Sequence, residues 1–113
     1  MAVTIHRGAN LVEHHQSTPL TALNDAFEVH ADSSSFTFAV SVTGGANFSL
    51  ALETTFNSGS AWYTLDTSKT INADGQYIYF YEGKPCHSIR IRIASISSGT
   101  PSVTPHIGVM YHG

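Results

Sequence analysis

A chain of 113 residues makes one domain, able to bury roughly two-thirds of the surface its unfolded form exposes. A formal charge of -3, with five Lys and Arg residues and no basic cluster, excludes nucleic acid as a partner, because phosphate recognition needs several concentrated cations. No apolar run approaches the roughly 20 residues that cross a bilayer, and one cysteine, Cys86, excludes an internal disulfide.

In chain order, Val3 and Ile5 suggest a short strand, and Phe27-Glu28-Val29-His30-Ala31 another. Between them, residues 8–25 hold few apolar anchors. Leu20 and Leu23 offer to pin this stretch to the body, through a turn of helix. It reads either as a loop over one end of the domain or as an arm reaching a neighbouring subunit. Residues 1–35 are therefore expected to form an irregular N-terminal arm, and residues 36–113 the body.

From Phe36 the pattern has a period of two. Phe36, Phe38, Val40 and Val42 alternate with small or hydroxyl residues, and Gly44-Gly45 ends the run. Phe48, Leu50 and Leu52 continue the pattern, so these two strands are expected to pair as a hairpin. Asn57-Ser58-Gly59-Ser60 is a turn, and residues 61–66 form a strand with Trp62, Tyr63 and Leu65. After the Asn72–Gly75 turn comes an aromatic strand, with Tyr77, Tyr79 and Tyr81 on one face and Ile78 and Phe80 on the other. Ser88-Ile89-Arg90-Ile91-Arg92-Ile93-Ala94 alternates strictly, which only a strand satisfies. Its isoleucines belong to a core, and its arginines to the opposite face. A last strand runs from about Ser102 to Tyr111, and Pro105 places it at an edge or marks a bulge or break.

Turns recur every 8–15 residues or so, and no strong amphipathic helix appears, so the fold is all-β: an antiparallel sandwich, jelly-roll or Ig-like, of about seven to eight strands.

Chemistry is sparse. Zinc needs three or four ligands held around it, with at least one pair at close spacing. The seven histidines read as scattered surface residues. The sharper alternative joins His14 or His15 to residues brought close by folding or symmetry. Cys86 has no oriented base nearby and reads as structural. The carboxylates encode no facing catalytic pair, and nucleophile-elbow, phosphate-loop and dinucleotide motifs are absent from the sequence. No catalytic residue, cofactor or metal ligand is therefore assigned. Arg90 and Arg92 pair with Glu53, Asp66 or Glu82, or they face an acidic partner surface. Trp62, Tyr77 and Tyr79 suit a core-and-interface role or a sugar-stacking platform. The candidate partner-binding residues are thus Arg90, Arg92, Trp62, Tyr77, Tyr79, His14 and His15.

One order of features carries a resemblance: a Phe-x-Phe strand, then Ala51-Leu52-Glu53, Ala61-Trp62-Tyr63-Thr64-Leu65-Asp66, Asp74-Gly75-Gln76-Tyr77, Ile89-Arg90-Ile91-Arg92 and Ser98-Gly99-Thr100. Over about residues 36–111 the chain resembles small β-sandwich structural proteins of tailed bacteriophage virions. These are capsid decoration or cement proteins and neck or tail accessories. The resemblance implies a non-enzymatic protein that binds major capsid subunits, commonly as a trimer or other symmetric cluster. The first eight residues lack a signal-peptide core, which fits synthesis in the host cytoplasm and release within a particle. A carbohydrate-binding module or receptor-binding tail protein is the alternative.

Overall fold

The alternation read from the sequence is realised as strands. The computed structural model describes residues 9–33, 35–56, 61–83 and 86–112. Among these lie β1 (Ala9–His15), β2 (Ala26–Ser33), β3 (Ser35–Thr43), β4 (Asn47–Thr55), β5 (Tyr63–Thr64), β6 (Lys69–Ile71), β7 (Gly75–Tyr81), β8 (Cys86–Ser98) and β9 (Ser102–His112). One sheet has the order β1-β9-β3-β7. The other has the order β2-β8-β4-β5, with β6 also on β4. All pairings are antiparallel.

The winding follows one rule. β1 pairs β9, β2 pairs β8, β3 pairs β7, and β4 pairs β5 and β6. A long antiparallel ribbon rolled onto itself in this way is a jelly roll, and the Ig-like alternative is set aside. β5 pairs Glu53 and Thr54 while β6 pairs Phe48 to Leu50, so the two are halves of one interrupted edge strand. Asp66 makes the interruption: its carboxylate accepts from the Thr67 N–H and from Lys69 Nζ.

The core is the meeting of two apolar faces. Phe38, Ile107 and Val109 come from one sheet, and Leu50, Leu52, Ile89, Ile91 and Ile93 from the other, all fully buried. Each is the inward member of an alternating run, so a shift of one residue would turn its whole strand inside out.

Several expectations change. Residues 36–43 and 48–53 do not form a hairpin, because β3 and β4 lie in different sheets. Gly44 and Gly45, with φ of 104° and 64°, carry the chain across the edge of the sandwich. Both strands still bury their apolar faces, which is why alternation alone did not separate the two arrangements. The strand expected at 61–66 contracts to Tyr63–Thr64.

The first third is more regular than an arm. β1 and β2 are edge strands of the two sheets, and the connector between them is tied to both. Leu20 exchanges two backbone hydrogen bonds with Val103, and the Asn24 N–H donates to the Ile93 carbonyl. Leu20 is buried, whereas Leu23 is exposed and no helical turn forms. The strand expected at Val3 and Ile5 lies outside the described residues, as do the Asn57–Ser60 turn and the side chain of Cys86.

Pro105 sits inside β9, an inner strand, opposite Val40. The β1 ladder ends at His106, and Val103 bonds Leu20 on that side. By the two-residue repeat, the missing N–H of Pro105 points into this gap, where β9 is locally an edge.

Candidate functional site: the two outer faces

Each sheet has one face in the core and one turned outward, and the two outward faces differ in chemistry. On the five-stranded sheet, register places Glu53 of β4 beside Arg90 of β8, with Arg92 one outward position along. Arg90 Nε donates to Glu53 Oε1 at 2.7 Å. Arg92 donates to both carboxylate oxygens, Nε to Oε1 at 3.0 Å and Nη2 to Oε2 at 3.1 Å. Burial works against ionising Glu53. The hydrogen bonds and charges of Arg92 and Arg90 outweigh it and hold the carboxyl below its ordinary pKa.

The cluster is closed by neighbours. Trp62 lies over Arg90, 4.1 Å from ring centroid to guanidinium carbon, and Arg92 Nη1 donates to Asn24 Oδ1. Of the three carboxylates considered from sequence, Glu53 is the partner, while Asp66 engages Lys69. Both arginines are thus engaged by Glu53 within the protein, with part of each guanidinium still reaching solvent.

The outer face of the four-stranded sheet is open. Thr37 and Ala39 of β3 and Gly108 of β9 form a floor of small residues. Phe80 and Ile78 of β7 rise along one side, 71% and 56% exposed, and Leu11 of β1 along the other at 67%. Leu11 Cδ1 lies 3.4 Å from where a Cβ on Gly108 would stand, so glycine lets this side chain fold over the floor. The result is an apolar trough crossing the sheet, of about 280 Å³ at the Phe80–Leu11 end.

Tyr77, Tyr79 and Tyr81 take the inward positions of β7 and pack half-buried against the core. Burial pushes the Tyr79 phenol above its ordinary pKa. Trp62 lies just before β5 and covers Arg90 on the other sheet, so Trp62, Tyr77 and Tyr79 make no shared exposed platform. The exposed apolar residues of that strand are Ile78 and Phe80; the alternation separated them from the tyrosines without saying which face is outward, and Tyr77 and Tyr79, named for partner binding, take the inward one.

His14 points inward, half-buried. His15 points outward opposite His106, with ring centroids 5.6 Å apart, and His106 Nδ1 lies 3.3 Å from Glu13 Oε2. Folding thus gathers part of what sequence left scattered. His106 was missed because its partners are distant in the chain.

The fold and its two faces define a jelly-roll β-sandwich with a buried ion-pair cluster on one face and an open apolar trough beside a histidine pair on the other. No protein-family model and no curated protein matches the sequence. Among solved structures, the chain is similar to the SPBc2 prophage-derived protein YomS, with TM-score 0.59, 10% identity, and coverage of 98% of this chain and 99% of that one. It is also similar to a chain of the T13 IBDV viral particle, with TM-score 0.53, 11% identity, and coverage of 94% of this chain and 32% of that one. For infectious bursal disease virus Gx strain the TM-score is 0.51 at 12% identity, over 93% of this chain and 32% of that one. The chain thus spans about a third of the virus-particle chains it matches. At these identities the likeness concerns the fold.

Proposed function

We propose that this protein is a non-enzymatic structural component of a bacteriophage virion, a decoration or cement protein made in the host cytoplasm. It binds major capsid subunits on the particle surface, as a trimer or similar homo-oligomer, and stabilises the head. The observation that carries this reading is the open apolar trough. Exposed Phe80 and Ile78 on one side and Leu11 on the other give a surface suited to docking a partner. Two further observations support it: jelly rolls are the architecture of many viral shells, and the chain shares its fold with a prophage-derived protein and with virus-particle chains. Jelly rolls also build lectins, but of the residues named for a sugar platform Tyr77 and Tyr79 are turned to the core and Trp62 is engaged by Arg90.

Sedimentation velocity on the purified protein, alone and mixed with expanded capsids of the same virus, tests the reading. Oligomers and co-sedimentation are expected. Phe80→Asp should abolish association while the circular dichroism spectrum stays that of a folded sandwich, because Phe80 projects outward. A monomer that ignores capsids overturns the proposal.

A further inference from the structure

Four histidines that are far apart in sequence converge into two groups of one composition, two imidazoles and one carboxylate. On β1 and β9, Glu13, His15 and His106 each place a ligand atom within 4.8 Å of the others. Glu13 and His15 occupy alternate positions on one face of β1, and His106 is the direct cross-strand partner of His15. Small residues lie beside them, Gly108 opposite Glu13 and Ala39 opposite His106, and leave the space above open. On β2 and β8, His30, Asp32 and His87 meet the same distance criterion. His30 Nε2 is 3.0 Å from Asp32 Oδ2, and the His30 and His87 rings stack at 4.3 Å. The ladder shifts register between His30 and Ser33, and Asp32 has φ of 44°, in the left-handed region that Asp adopts more readily than most residues.

An ion pair explains one histidine beside one carboxylate, but not the second imidazole. In each group two imidazoles and one carboxylate bring three possible ligand atoms within 4.8 Å of one another. That is the donor set a borderline-soft divalent cation takes. A donor at position i, another at i+2 and a third on the adjacent strand is how a sheet surrounds one ion. In the second group the ring of His87 is also held from outside: its Nδ1 lies 2.8 Å from Oγ of the buried Ser88.

We propose that each group is a binding site for a divalent transition-metal ion of the zinc type. Two imidazole nitrogens and one carboxylate oxygen ligate the ion, and at least one coordination position faces solvent. Each site joins an edge strand, β1 or β2, to the inner strand beside it, β9 or β8, and binding by the isolated protein does not depend on the docking reading.

The test is isothermal titration of untagged protein with zinc chloride, and cobalt(II) absorption as a geometric probe. Saturation near two equivalents, one for each group, is expected. His106→Ala should remove one equivalent and His87→Ala the other, with folding confirmed by circular dichroism. The near-isosteric Glu13→Gln and Asp32→Asn should weaken the same sites in turn. Ser88→Ala should weaken the His87 site about tenfold or more, as loss of an outer hydrogen bond does at other metal centres. Absence of saturable binding overturns the proposal. Binding unchanged in the His106→Ala/His87→Ala double variant also overturns it, marking an adventitious ion on other histidines. If only one substitution removes an equivalent, the assignment of the other group is overturned.

Discussion

Glu53 is the residue on which the ion-pair cluster depends, since its side chain is 8% exposed and three guanidinium nitrogens donate to it. Glu53→Gln keeps the shape but leaves two arginines facing a neutral group. A stability loss of about 2–4 kcal/mol is expected, below the top of the range for broken buried pairs because both guanidiniums reach solvent. Urea unfolding measures it. Arg90→Ala/Arg92→Ala should lower the urea midpoint as well, since it strands the carboxylate; an unchanged midpoint would make these arginines free surface groups. The folded pKa of Glu53 lies below its ordinary 4.5, so its stabilisation is complete above that value and is lost as pH falls through the lowered one. Asp25 contributes to the same acid limb, its carboxylate held below 3.8 by the Thr21 and Ala22 N–H groups. The melting temperature should therefore be level above about pH 5 and fall as the pH drops below 4.5, and fall less for Glu53→Gln. Sequence named Glu53 as one of three partners for the arginines; choosing among them required a register that no local pattern encodes. The converging histidines had a weak local signal, Glu13-x-His15 and His30-x-Asp32. Their third members arrive from β9 and β8.

At the level of strands, periodicity was a sound guide wherever an inward face had to be apolar. β3, β7, β8 and β9 fall close to where the alternation puts them. It failed where a strand is held by pairing alone. β5 is two residues long and β6 three, and neither run is long enough to show a period. β1 escaped because its inward positions, Val12 and His14, lie on an edge where half-burial tolerates a histidine. The inward isoleucines are the least replaceable part of any strand. Ile91→Ala should cost about 2–5 kcal/mol and Ile91→Asp should prevent folding, as read by circular dichroism and expression in soluble form. Gly44 holds the crossing between sheets. A Cβ there would collide with the Thr100 carbonyl oxygen, and φ is 104°, so Gly44→Ala should destabilise by about 1–3 kcal/mol in urea.

For the molecule as a whole, the class of fold was legible and the winding was not. Alternation says that a strand has an inside; it does not say which strand lies beside it, and the expected β3–β4 hairpin fell to that ambiguity. The open trough follows from the winding, because it exists only once β1 and β7 flank β9 and β3. The same winding constrains how the protein is made. None of the first four strands is hydrogen-bonded to another of the first four, and the inner strands β8 and β9 are the last two synthesised. While the ribosome is still at work, β1 and β2 have no neighbour to pair with until β9 and β8 emerge, and β3 can pair only with β7 on one side. Closing contacts so distant in sequence is slow, and an incomplete chain is prone to aggregate. A nascent chain stalled before Ser102 should therefore remain protease-sensitive at β1 and β3, and their protection should appear once residues 102–112 have emerged.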